Sequence, residues 1–284
     1  MKETRIDDAN SSSQRSTQNS LTIDASGPSP EDGDECLSRL NQEFCRLQTQ
    51  WIQNDPNNTG GGLQLSLSPE IEKKIKSIQI RYVERLAELQ KEKEEHLQIL
   101  SDHGWFLSPD TDIKQLRNLA ESLGVDAGSK EDAISSHIRK RIDSIECELS
   151  QSYPNRSQIF HDAFEAHRAG KYTLSVPVFL TQADGIWRDQ FGRNFFQTKK
   201  RESTLRDCKK NLQLQRIVTT LALLEPDKNN PIWVGELERG SSFDALNRHQ
   251  VLHGESVDYA TEQYSLKAIS LLCCFQGICQ RVAQ

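Results

Sequence analysis

The segment 247–254 places an arginine and two histidines close together, at Arg248, His249 and His253. A guanidinium group can hold two phosphate oxygens at once, and an imidazole can give or take a proton near neutral pH. Cleavage of RNA by transesterification needs both functions, because protons move at the 2′- and 5′-oxygens while charge builds on the phosphate. The types and spacing of these residues therefore indicate a site that could cut RNA without a metal.

The spacing also sets a condition on the local structure. Residues five apart lie about 140° apart around an ideal helix, so Arg248 and His253 do not share a face in the middle of one. The long side chain of Arg248, or a helix that unwinds at Gly254, could bring these two residues together, whereas His249 and His253 share a face. One histidine does not easily make both proton transfers, so we expect a homodimer or higher oligomer with facing motifs.

The segment resembles the motif of the HEPN superfamily (higher eukaryotes and prokaryotes nucleotide-binding), in which Arg, a polar residue, a short spacer and His open a late helix of a helical bundle. Arg248 and His253 match the version with a four-residue spacer, and His249 takes the polar position. The wider stretch 246–272 is similar to HEPN-type proteins of bacterial abortive-infection and toxin–antitoxin systems. The resemblance covers residues 155–284.

This resemblance implies a metal-independent endoribonuclease, a hydrolase of antiviral defence or a toxin system, acting as a dimer on RNA without a cofactor. It also implies that Arg248 and His253 are catalytic and that His249 supports them. The same fold could instead serve as a non-catalytic RNA-binding or protein-interaction module.

Two other interpretations of the motif remain open. Arg248 could pair with Asp244 or Glu255 on a helix surface, while His253 marks the helix end. His249 and His253 also have the i, i+4 spacing of a zinc pair, but glutamine follows the first histidine where the HExxH motif needs glutamate. We therefore expect no metal ion and no cofactor.

Three polar residues are candidates to support the site. Gln182 and Asp184 interrupt the apolar helix predicted over 172–187, and buried polar groups need hydrogen-bond partners. They could bond to the Arg248/His253 site across the bundle, or they could serve helix packing or face solvent. Asn247, directly before the motif, is the third candidate.

A basic stretch, residues 188–210, carries eight basic and three acidic residues, although the whole chain has a net charge of −6. Three phenylalanines interleave with these charges, and basic plus aromatic residues suit single-stranded RNA. The alternative is a solvated loop whose phenylalanines anchor it to the core. The candidate RNA-binding residues are Arg193, Lys199, Lys200 and Arg201.

The elements that must position these residues are all predicted to be helical, because no segment sustains the period-two alternation of a strand. Apolar stripes predict a helix over 37–51 and an elongated amphipathic helix over 69–101, which could form a coiled coil with a partner helix or lie as a solvated surface helix. Further helices are predicted over 111–123, 130–151, 159–170, 172–187, 204–224, 242–253 and 262–281.

Composition divides the chain into three parts. Residues 1–35 are polar and predict a disordered tail, because they cannot bury enough apolar surface. Residues 36–152 form a helical region that could regulate the protein or bind a partner protein or antitoxin. Residues 153–284 are the HEPN-like helical domain, and the break at 153–156 is the predicted boundary.

The sequence also indicates a location. The seven cysteines include no CxxC pair, the N-terminus has no apolar core of a signal peptide, and no apolar run reaches about 18 residues. We expect a cytoplasmic protein that does not span a membrane.

Overall fold

A computed structural model of the chain describes residues 35–53, 69–123, 131–210, 221, 224, 230–241 and 243–283. These residues form α-helices, two short 3-10 helices and connecting loops, and none of them lies in a strand. The all-α prediction is therefore confirmed. Residues 1–34 of the predicted tail lie outside the described residues, as do residues 54–68 between the first two predicted helices.

Ten α-helices are described. In chain order they are α1 (Glu35–Gln53), α2 (Pro69–Asp102), α3 (Ile113–Ser122), α4 (Asp132–Arg139), α5 (Ile142–Ser152), α6 (Ser157–Arg168), α7 (Tyr172–Phe191), α8 (Thr198–Lys210), α9 (Arg248–Leu252) and α10 (Glu262–Ala283). The 3-10 helices are Pro154–Arg156 and Glu236–Glu238.

Three helices differ from their predicted ranges. The helix predicted over 130–151 is broken into α4 and α5 at the two residues between them. The helix predicted over 204–224 begins earlier, at Thr198, and residues 211–220 lie outside the described part of the chain. The helix predicted over 242–253 is much shorter, since only Arg248–Leu252 is helical.

The chain divides into two compact units between Ile75 and Lys76. The first unit contains α1, in which the predicted apolar stripe is buried at Leu37, Leu40 and Leu47. The second unit runs from Lys76 onward, and its core takes side chains from both sides of 153–156. The boundary predicted at 153–156 coincides with the 3-10 helix Pro154–Arg156, and residues on both sides of it contribute to one core.

Helix α10 is the centre of the second unit. It packs along α7 and also contacts α4 and α5, while α6 packs against α7 and α5. Its buried residues lie all around the helix, as in a helix enclosed by others. Among the described residues, α10 alone is long and apolar enough to cross a membrane, yet 72% of that stretch is buried inside the protein. A long apolar helix that is mostly buried is typical of the core of a folded domain.

A polar network crosses the core where α6, α7 and α10 meet. His167 Nδ1 lies 2.8 Å from Ser265 Oγ, and Ser265 Oγ lies 3.0 Å from Ser175 Oγ. All three residues are buried. Burial lowers the pKa of His167, and the opposing effect of Glu262 is smaller. The neutral imidazole is therefore the form that the folded protein favours.

This network predicts a loss of stability in acid. The ordinary pKa of histidine is 6.5, so below that pH the unfolded chain binds more protons than the folded chain. The free energy of unfolding is thus fully retained above pH 6.5 and falls as the pH drops toward the lower folded pKa. His137, whose pKa burial also lowers, acts in the same direction.

We expect His167→Gln to reduce the dependence of the unfolding free energy on pH below 6.5 by up to about 1.4 kcal/mol per pH unit, the effect of one proton. Urea unfolding at a series of pH values measures it. An identical pH dependence in His167→Gln and wild type would show that the buried imidazole does not titrate as described.

Candidate functional site

Asn247 begins α9 and fixes its position. Its side-chain oxygen accepts hydrogen bonds from the backbone N–H groups of His249, at 3.0 Å, and Gln250, at 3.2 Å. Its Nδ2 donates to the backbone oxygens of Pro231, at 2.8 Å, and Val234, at 3.1 Å. The residue is only 1% exposed. Asn247 therefore caps the helix and ties it to the preceding loop at the same time.

The cap also explains why α9 is short. Asparagine side chains bond to nearby backbone N–H groups and favour helix starts over helix interiors. The helix begins at Arg248, directly after Asn247, and its last hydrogen-bonded residue before the turn is His253. Gly254 has φ of +74°, a left-handed conformation that ends the helix. The helix does end at Gly254, but Arg248 and His253 lie at opposite ends of α9, so this helix end does not bring the two side chains together.

The two imidazoles of the motif lie against each other on the surface. The ring centroids of His249 and His253 are 4.3 Å apart, with the rings tilted by 46°. His249 Nδ1 lies 3.1 Å from a carboxylate oxygen of Glu255. The other oxygen of Glu255 accepts a hydrogen bond from Arg239, at 3.3 Å. The predicted shared face of the two histidines is confirmed, and Glu255 is an additional member of this group.

We call His249, His253 and Glu255 the imidazole group. The carboxylate favours the tautomer of His249 that carries its proton on Nδ1, which leaves Nε2 able to accept a proton. Two imidazoles within one chain can in principle supply a base and an acid. Glu255 follows Gly254 in the sequence, but its role depends on the turn that the glycine makes.

Arg248 has a different neighbour. Its guanidinium carbon lies 4.8 Å from the centre of the Phe196 ring, and its Nε is buried without a hydrogen-bond partner among the described residues. The pairing with Asp244 or Glu255 that the sequence left open is not observed. Glu255 bonds elsewhere, and Asp244 accepts from the hydroxyl of Tyr264, at 3.5 Å.

The described structure therefore brings together only part of the predicted motif. His249 and His253 contact each other, while the Arg248 side chain lies on Phe196 and forms no hydrogen bond to either imidazole. The sequence did not indicate that Phe196 contacts Arg248, because the contact joins segments that are far apart along the chain.

The two supporting residues on α7 have separate roles. One oxygen of Asp184 accepts from the backbone N–H groups of Phe195, at 2.7 Å, and Phe196, at 3.4 Å. Asp184 thus holds the turn that presents the Phe196 ring. Gln182 accepts a hydrogen bond from Arg156, at 2.7 Å, which is the packing bond that the sequence left open as the alternative to a bond with the motif.

The phenylalanines of the basic stretch belong to the core. Phe195 is fully buried, and its ring lies 5.0 Å from Trp187 and 4.5 Å from Phe275, measured between centroids. Phe191 and Phe196 are half-buried and pack against the same core. These rings anchor the segment to the core, which is the alternative that the sequence left open.

The four basic candidates differ in exposure. Lys199 and Lys200 are exposed at the start of α8. Arg193 forms an ion pair with Asp207, at 2.9 Å. Arg201 is only 3% exposed and lies under the surface, so its prediction as a surface contact to RNA is wrong.

Comparisons with known proteins add no relative. No protein-family model matches this chain, and no match was found among curated proteins or solved structures. Within the described residues, no group of three His, Cys, Asp or Glu side chains is placed to hold a metal ion.

The role of Asn247 gives a testable prediction. We expect Asn247→Ala to lower the free energy of unfolding by about 2 kcal/mol or more, because the helix loses its cap and buried backbone groups lose their partners. Urea denaturation measures the change. Asn155→Ala, at an exposed asparagine, should shift it by less than about 0.5 kcal/mol. Equal effects of the two substitutions would contradict the capping role.

Proposed function

We propose that this protein is a metal-independent endoribonuclease of the HEPN type and that the segment from Arg248 to Glu255 is its active site. The observation that carries the proposal is the imidazole group, in which two exposed histidines contact each other beside a carboxylate, directly after an arginine that has no acidic partner among the described residues.

The imidazole group supports a division of the proton transfers. His249 would take the proton of the attacking 2′-hydroxyl through Nε2, and the Glu255 carboxylate would stabilise the imidazolium that forms. His253, in its protonated form, would give a proton to the departing 5′-oxygen. Both histidines belong to one chain, so the acid and the base do not have to come from two copies.

Arg248 would bind phosphate. A guanidinium group without an ion-pair partner can form two hydrogen bonds to phosphate oxygens. Because Arg248 lies on Phe196 and not beside the imidazoles, we assign it to holding the RNA backbone at the start of α9. The proposal also includes a homodimer or higher oligomer, and a partner protein or antitoxin that binds the N-terminal helices. We propose that the protein acts in the cytoplasm, in antiphage defence or a toxin system.

RNA cleavage by the purified full-length protein in EDTA tests the assignment. We expect His249→Ala, His253→Ala and Arg248→Ala each to lower the cleavage rate by about 100-fold or more, as for the loss of a general acid, a general base or a phosphate-binding group. Circular dichroism should show that each variant keeps its helices.

Two surface substitutions are matched controls for this experiment. His161 is exposed and bonds to Glu146 much as His249 bonds to Glu255, with side-chain exposures of 59% and 49%. Arg168 forms ion pairs at the end of the same helix. His161→Ala and Arg168→Ala should cleave RNA at the wild-type rate. Equal cleavage by all five variants and wild type would end the catalytic assignment.

A second candidate function is RNA binding without cleavage, and the exposed lysines of α8 favour it. Lys199 and Lys200 follow closely after Phe196, on which Arg248 lies, so positive charge continues from the motif onto α8. Such a surface would attract a phosphate backbone through the release of counterions.

Salt dependence of RNA affinity tests that surface. We expect the double substitution Lys199→Gln/Lys200→Gln to weaken binding of single-stranded RNA. The slope of log affinity against log salt should become less steep by about 1 to 2, because each phosphate that the protein no longer neutralises changes the slope by about 0.7. Lys140→Gln/Lys171→Gln, at two exposed lysines elsewhere, should leave the slope unchanged. The same slope for both double variants would exclude α8 from the RNA interface.

A further inference from the structure

Arg201 is a buried cation that no described acidic group neutralises. Its guanidinium carbon lies 5.1 Å from the centre of the Phe195 ring and 5.4 Å from the centre of the Trp233 ring. The residue is only 3% exposed, and its Nε has no hydrogen-bond acceptor. Among the described residues, its side chain forms no ion pair and no hydrogen bond.

Two further buried donors in the same neighbourhood have no acceptor. They are Nε1 of Trp233 and Nε of Arg248. The Phe195 ring, which lies against Arg201, is 5.2 Å from the Phe196 ring, which lies against Arg248. The backbone N–H of Arg248 also donates to the oxygen of the residue before Trp233, at 2.8 Å. Arg201 thus lies against Phe195 and Trp233, and Arg248 lies against the next ring, Phe196.

Burying these unpaired donors is energetically unfavourable unless a ligand binds to them. A buried charge is unfavourable without a partner, and contact with aromatic rings offsets only part of the loss. Burial lowers the pKa of Arg201 to about 10, and the opposing effect of Glu202 is smaller. All three groups are donors, so an acceptor would satisfy them, and the two guanidinium groups favour a negatively charged one.

We propose that Arg201, Trp233 and Arg248 form a binding site for a phosphate-class oxyanion, either free phosphate or the phosphate of a nucleotide. Guanidinium groups recognise such oxygens through paired hydrogen bonds, and Trp233 would add a third donor. The site shares Arg248 with the proposed active site, but it does not include the imidazole group and does not depend on RNA cleavage. Phosphate binding without cleavage would therefore leave this proposal standing while the proposed function failed.

Isothermal titration of the full-length protein with orthophosphate, at ionic strength held constant with sodium chloride, tests the proposal directly. We expect saturable binding to wild type and an apparent Kd at least about 10-fold weaker in Arg201→Met, since a charged hydrogen bond is lost. Arg206→Met, at an exposed arginine on the same helix, should bind phosphate as wild type does.

Thermal unfolding adds a measurement that separates this site from a structural role for Arg201. Replacing an unpaired buried charge by a hydrophobic side chain of similar size often stabilises a protein. Arg201→Met should therefore unfold at an equal or higher temperature than wild type without phosphate, and only wild type and Arg206→Met should gain stability in a saturable way when phosphate is added.

Adenosine 5′-monophosphate and adenosine distinguish the two sources of the phosphate. Tighter binding of the monophosphate than of orthophosphate, with no binding of adenosine, would indicate a nucleotide, whereas binding of orthophosphate alone would indicate the free anion. The absence of phosphate binding to both wild type and Arg206→Met would overturn the proposal, even if Arg201→Met did not fold.

Discussion

The buried carboxamide of Asn247 is the constraint on which the site depends. It uses both of its ends, because the oxygen caps α9 while the nitrogen bonds to the loop before it. A helix of five residues has little stability of its own. The directions of Arg248 at its start and of His253 at its end therefore follow from this one side chain and from the turn at Gly254.

The aromatic core supplies the other half of the framework. Trp187, Phe195 and Phe275 form a packed cluster between α7 and α10, and Asp184 fixes the backbone of the turn that contains Phe195. The neighbouring Phe196 ring receives the Arg248 guanidinium. A surface of rigid rings holds cations in place without neutralising them, so it keeps their charge available for a phosphate.

Local signals in the sequence predicted most of the helical framework. The start of α2 at Pro69 and the positions of α6, α7 and α10 follow from a proline at the first helical position and from apolar spacing, which involve neighbouring residues. Contacts across the fold could not be predicted in the same way. The burial of Arg201 and the bond from Arg156 to Gln182 depend on how distant helices pack.

The chemistry of the RNA ends tests the central claim most directly, because attack by the 2′-hydroxyl and attack by water leave different products. Mass spectrometry of RNA treated with the protein in EDTA should show fragments with a 2′,3′-cyclic phosphate and a 5′-hydroxyl, and a 2′-deoxyribose at the cut position should block cleavage. Intact RNA, or fragments with 3′-hydroxyl and 5′-phosphate ends, would contradict proton transfer by the imidazole group.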